Sequence, residues 1–225
     1  MPSYAAMTRP ELVRKILKPV VFLVCLLPLG ILAYNFFTDN LSANPLDDIT
    51  DTTGTWTIRF IVITLCVTPL RRITKAAMVG RFRRMFGVYA FFYGCLHFLT
   101  YLYFDKFFEW NEILADIPKR PFIAVGFTSL FLMLPLALTS TSGITKWMGG
   151  RRWTALHRLI YFTAIGAVIH YLWLVKADKS RPLTYGGIVA LLLGYRLWVY
   201  LAPKVTSYLA KRKQQPVPLT KPKTQ

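Results

Sequence analysis

Six apolar stretches recur along this 225-residue chain. Each approaches the roughly 20 residues that an α-helix needs to cross the hydrocarbon core of a bilayer. They lie near residues 19–37, 56–70, 86–104, 121–138, 153–175 and 183–201, and the threonine-rich segment 52–57 can lengthen the short second one. Helix breakers stand between them: Asn44-Pro45, Pro118, Gly149-Gly150 and Pro182. Composition agrees. Hydrophobic residues make up 54% and charged residues 17%, against the quarter usual for soluble domains. A chain this apolar is not disordered.

The formal charge of +18 would suggest a polyanion partner if the basic residues shared one face. They do not. With the N-terminus placed in the cytoplasm, nineteen of the 28 Lys and Arg fall in inner segments, six in outer loops, and three (Arg59, Arg158, Arg196) within spans. That asymmetry follows the positive-inside rule, so a nucleic-acid partner is not expected. The expected architecture is an all-α, polytopic bundle of six transmembrane helices with both termini cytoplasmic. A basic leader (1–18) precedes the membrane domain (19–201), and the first span reads as a retained anchor and not a cleaved signal. The Pro- and Lys-rich tail (202–225) is expected to be disordered and attracted to anionic lipid.

All three histidines fall within spans, where an ionisable side chain is costly and therefore a functional candidate. His97 lies about seven residues from the outer end of the third span and His170 about five from that of the fifth, placing both imidazoles roughly 8–10 Å below the outer edge. Two imidazoles on neighbouring helices at one depth can hold a metal, and with no carboxylate or thiolate cluster beside them a bis-imidazole haem b suits best. Hydrogen-bonded packing across helices is the alternative reading. His157 precedes His170 by thirteen residues, about 20 Å along a helix. It is a possible ligand near the inner face, but Arg83 and Arg84 stand at that depth of the third span where a second histidine would be needed. A structural or interfacial role fits it equally.

Arg59, at the outer side of the second span, can clamp a propionate. Arg158 and Arg196 lie toward the inner side, where phosphate-bearing groups would arrive; snorkelling to headgroups is the alternative for all three. The aromatic run Tyr89, Phe91, Phe92, Tyr93, Phe98, Tyr101, Tyr103 and Phe104 can wall a porphyrin or face lipid. Cys25, Cys66 and Cys95 occupy three different spans and form no disulfide framework.

Three stretches resemble the ferric-reductase-like transmembrane proteins: TGTWTIRFIVITLCVTPLRR (53–72), RRMFGVYAFFYGCLHFLTYLYFD (83–105) and LTSTSGITKWMGGRRWTALHRLIYFTAIGAVIHYLW (138–173). Within that superfamily, length and span number resemble the MsrQ family, haem-binding membrane subunits of bacterial methionine sulfoxide reductase systems. The resemblance covers residues 10–205. It implies a haem b electron carrier of the bacterial inner membrane, with FMN as a further cofactor. Its electrons would come from quinol or a cytoplasmic flavin reductase and pass to a periplasmic molybdopterin reductase, MsrP. That enzyme would return methionine sulfoxide in envelope proteins to methionine. His97, His157 and His170 match the three histidine positions of the family. Larger relatives carry four histidines for two haems and an FAD/NADPH domain, so one complete haem site is expected here and direct NADPH oxidation is not. The chain would be the electron-transfer subunit of an oxidoreductase complex. A stand-alone quinol- or ferric-reducing cytochrome b, and a non-redox transporter or scaffold, are the rival readings. The acidic outer segment 105–116 is either a docking surface for the partner or a solvated loop, and the basic inner loop 71–84 is either a flavin site or a segment attracted to the membrane.

Overall fold

The computed structural model describes residues 9–214. A short helix α1 (Arg9–Leu12) passes through a π-type turn into α2 (Lys18–Phe37). The long α3 (Pro45–Thr74) returns, and α4 (Arg83–Thr100) is prolonged by a π-type segment, Tyr101–Asp105. A surface helix α5 (Trp110–Lys119) leads into α6 (Pro121–Leu138). The short α7 (Ser142–Met148) and α8 (Gly150–Leu156) precede α9 (Leu159–Leu174) and the long α10 (Ser180–Gln214). Six helical segments are long and apolar enough to cross a membrane: Lys15–Phe37, Pro45–Thr74, Val79–Asp105, Pro121–Leu138, Gly150–Leu174 and Ser180–Pro203. The all-α six-span expectation holds, and the chain is a multi-pass membrane protein.

Three boundaries differ from the sequence reading. The second span begins at Pro45, eleven residues before Trp56. Proline at its first position and Asp47 and Asp48 in its first turn suit a helix start. The hydroxyls of Thr53, Thr57 and Thr64 donate to the carbonyls of Ile49, Thr53 and Phe60, so the polar run stays helical without unpaired groups. The last helix continues beyond residue 201 to Gln214, passing through Pro203. Residues 1–8 of the leader and 215–225 of the tail lie outside the described residues. The fifth span is broken at His157-Arg158, between α8 and α9, so the two histidines of that span are not on one straight helix.

Helices α3 and α4 pack along each other, as do α6 and α9, and α10 lies against α3 and α9. Large side chains such as Leu23, Leu27, Ile31, Phe131, Phe162 and Leu191 point outward, as a bilayer requires. The buried core is aromatic. Phe60 of α3 stacks on both Tyr89 and Tyr93 of α4, with centroids 5.5 and 5.4 Å apart. Both tyrosine hydroxyls then reach α2. Tyr89 donates to the Phe22 carbonyl (2.8 Å), and Tyr93 donates to the Cys25 carbonyl (2.9 Å) while accepting from the Leu29 amide (3.3 Å). Tyr93 thus inserts into the helical ladder of α2 one residue beyond Pro28, where the backbone is already interrupted. The cysteines are free, with Cys25 buried in this core.

Tyr93→Phe keeps the stacking but leaves a buried carbonyl and amide without the hydroxyl. A loss of about 1–3 kcal/mol is expected, read as an earlier midpoint on titrating the detergent-solubilised protein with a denaturing surfactant.

Candidate functional site

The N-terminal halves of α3 and α6 and the C-terminal halves of α4 and α9 enclose a cavity of about 540 Å³, within the range of cofactor pockets. His97 projects into it from α4 and His170 from α9. Their ring centroids are 6.1 Å apart, with planes 82° to each other. The two imidazoles that the sequence places at one depth therefore share one cavity.

Each imidazole is held by the same device. His97 Nδ1 lies 3.1 Å from the Thr50 carbonyl and His170 Nδ1 lies 2.7 Å from the Phe122 carbonyl. A carbonyl only accepts, so Nδ1 carries the hydrogen in both rings, and in the neutral imidazole Nε2 then keeps its lone pair. In both cases the residue four positions after that carbonyl is glycine, Gly54 after Thr50 and Gly126 after Phe122. A Cβ on Gly54 would stand 3.0 Å from His97 Nδ1, and one on Gly126 would stand 2.6 Å from His170 Nδ1. The two glycines leave the groove through which each ring reaches a helical carbonyl.

Two neutral imidazoles with free Nε2 atoms are metal ligands oriented by their second nitrogen. Two imidazoles that each bound one metal through Nε2, at about 2.0 Å, would have ring centres within roughly 6 Å of each other. The observed separation fits. Among the described residues no group of three or more His, Cys, Asp or Glu could hold a metal ion, so a metal between these rings must bring its remaining ligands with it. The walls are largely apolar: Ile58, Ile61, Phe98, Phe127, Leu130 and Met133 line the cavity. Thr163 lies in its wall, fully buried, with its hydroxyl lacking a protein partner. A planar macrocycle that carries its own equatorial nitrogens, haem, suits this donor set.

The other residues singled out from the sequence divide by place. Arg59 does not line this cavity. It lies five residues beyond Gly54, donates through Nε to the Tyr185 hydroxyl (3.1 Å) and covers Trp56 at 4.7 Å. It belongs to an adjoining cleft that shares Asp51, Thr55 and Tyr171 with the cavity and contains Arg181. His157 sits apart at the α8–α9 break, stacked on Trp153 at 3.8 Å, its Nδ1 on the Trp153 carbonyl at 3.0 Å and its buried Nε2 without a partner. Arg84 lies over the same indole at 5.6 Å. Arg196 donates through Nη2 to the Leu65 carbonyl (2.7 Å) and covers Tyr161 at 5.1 Å, while its buried Nη1 has no partner. Arg158 is exposed. Of the aromatic run, Phe98 and Tyr101 line the cavity, Tyr89 and Tyr93 are core, and Tyr103 and Phe104 face outward.

Sequence reasoning does not single out Gly54, Gly126 or the carbonyls of Thr50 and Phe122. The available signal is a glycine inside an apolar helix at the depth of each histidine, which marks a close approach.

The chain matches the model of the ferric reductase like transmembrane component over residues 53–168. No solved structure matches it. Among curated proteins it is similar to one of Herminiimonas arsenicoxydans, 49% identical over 81% of this chain and 85% of that protein. One of Polaromonas naphthalenivorans is 44% identical over 90% and 93% respectively, and one of Xanthomonas euvesicatoria is 44% identical over 90% and 94%. All three are named protein-methionine-sulfoxide reductase heme-binding subunit MsrQ. At that identity over nearly the whole length, and with the ferric-reductase-like match, this chain belongs to the MsrQ family.

Proposed function

We propose that this protein is the haem b-binding, electron-transfer subunit of a methionine sulfoxide reductase system. The observation that carries the reading is the pair His97 and His170: two imidazoles whose Nδ1 atoms are committed to carbonyls and whose Nε2 atoms are free, in one apolar cavity. When bound there, haem supplies a one-electron iron couple. The chain's part is to hold both imidazoles neutral, to keep an apolar shell around the site, and to place it near the outer face. The names of the relatives support the haem.

The charge asymmetry supports a bacterial inner-membrane location with both termini cytoplasmic. On that orientation the site lies near the periplasmic side, where a molybdopterin partner, MsrP, would receive electrons. Donors on the inner side would be quinol or a cytoplasmic flavin reductase. Two groups support an inner station: Arg84, Trp153 and His157 stacked together, with the His157 Nε2 unpaired, and Arg196 over Tyr161, with its Nη1 unpaired. FMN, if held by its phosphate, would sit there or on the loop 71–84, and Arg158 would meet headgroups. Arg59 and Arg181 would offer guanidinium groups to a carboxylate reaching across Thr55 and Tyr171.

An absorption spectrum of the purified protein before and after dithionite tests the reading; sharp reduced b-type bands are expected, and their absence after expression with adequate haem would sink it. His97→Ala and His170→Ala are each expected to abolish the low-spin spectrum, whereas His157→Ala keeps it and slows electron delivery. Gly126→Ala should lower haem occupancy more than Gly54→Ala, because its Cβ meets the ring more closely. Equal occupancy in both variants and wild type would contradict the glycine-groove account.

A further inference from the structure

The mouth of the histidine cavity is acidic. Asp47, Asp51 and Asp105 line it, and Arg120 is the one Lys or Arg among its lining residues. Haem carries two carboxylates, which must either lie in water or meet a cation, since carboxylates beside carboxylates repel. The neighbouring cations Arg59, Lys106 and Arg181 are not among the residues that line the cavity. Arg181 lies 3.9 Å from Asp51, Lys106 is divided between Glu112 (3.7 Å) and Asp116 (3.4 Å), and Arg59 reaches the cavity only through the wall shared with its own cleft.

Arg120 is built into its place. It is the residue at which α5 ends and α6 begins, followed by Pro121, and its amide donates to the Asp116 carbonyl at 2.9 Å. Its Nε lies 3.0 Å from Asp116 Oδ1. That carboxylate is buried, with 8% of its side chain exposed, and accepts from the Tyr101 hydroxyl at 3.1 Å on its other oxygen. Tyr101 itself lines the cavity. A guanidinium has five donors, and one carboxylate already shared with Lys106 and Tyr101 cannot engage them all. Half of the Arg120 side chain stays exposed, at 48%.

We propose that Arg120, held by Asp116, is the carboxylate clamp of the cavity and binds one propionate of the haem, so fixing which edge of the macrocycle faces the outer surface. The proposal rests on the haem reading above. It gives the buried Asp116 a purpose: an ion pair at a helix corner locks the guanidinium rotamer over the cavity mouth, and preorganisation lowers the ordering cost of a bidentate contact.

The test compares haem with its dimethyl ester, which has the same ring and no carboxylates. Each is loaded into the wild-type chain, Arg120→Gln and Arg120→Lys, and its release to an excess of a haem-scavenging apoprotein is timed. A charge-assisted contact of about 1.5–3 kcal/mol corresponds to roughly 10- to 100-fold in rate. Arg120→Gln is expected to release haem faster by about that factor and to release the ester within twofold of wild type, with Arg120→Lys in between for haem. Equal acceleration of haem and ester in Arg120→Gln, or haem release unchanged, would overturn the clamp while leaving the haem reading intact. Failure of the wild-type chain to take up either ligand would instead bring down the haem reading, and the clamp with it.

Discussion

A helical carbonyl inside a bilayer is already engaged by the amide four residues on, and it has room for one further donor only if that donor can come close. At Thr50 and Phe122 the residue supplying that amide is glycine, and His97 and His170 come in over the missing side chains. The geometry of the histidine cavity rests on these two hydrogen bonds. They hold the imidazoles as neutral Nδ1–H tautomers, they aim the rings, and they pin α4 to α3 and α9 to α6. These are also the two most closely packed helix pairs. Helix association in lipid lacks a hydrophobic driving force and relies on close backbone approach and interhelical hydrogen bonds, so packing and ligand geometry are supplied by the same contacts.

The half of the bundle away from the cavity is held by different means. Tyr89 and Tyr93 tie α4 to α2 by hydroxyl-to-carbonyl bonds, and Arg196 ties α10 to α3 through the Leu65 carbonyl. These ties lie away from the cavity and leave its mouth to be shaped by charged residues. There Asp116 organises Lys106, Tyr101 and Arg120 around one buried carboxylate. A buried carboxylate with three partners is costly to assemble, and its contact with two residues that line the cavity, Tyr101 and Arg120, is what gives it functional interest.

Much of this is legible in the order of the residues. Span number and sequence follow from apolar run length, and the pairing of His97 with His170 follows from counting residues to the outer ends of two helices that run the same way. Boundaries are less legible: the threonine-rich segment 52–57 can lengthen the second span, but nothing in the residue order carries that helix back to Pro45, and the break at His157-Arg158 carries no proline or glycine to announce it. Arg59 shares the depth of the histidines by residue count, but it lies beyond Gly54 and turns into the adjoining cleft, because depth alone says nothing of the face a side chain takes.

The sequence by itself determined the number of crossings, the asymmetry of charge across them and the presence of two imidazoles at one level, since each depends only on counting along a chain whose rise per residue is constant. Only the tertiary structure decided which carbonyl each ring meets, that a glycine stands in each gap, and that Arg120 and not Arg59 lines the cavity mouth. Those outcomes depend on the rotation of each helix about its axis and on which helices are neighbours. In this bundle both are set by side chains far apart in sequence.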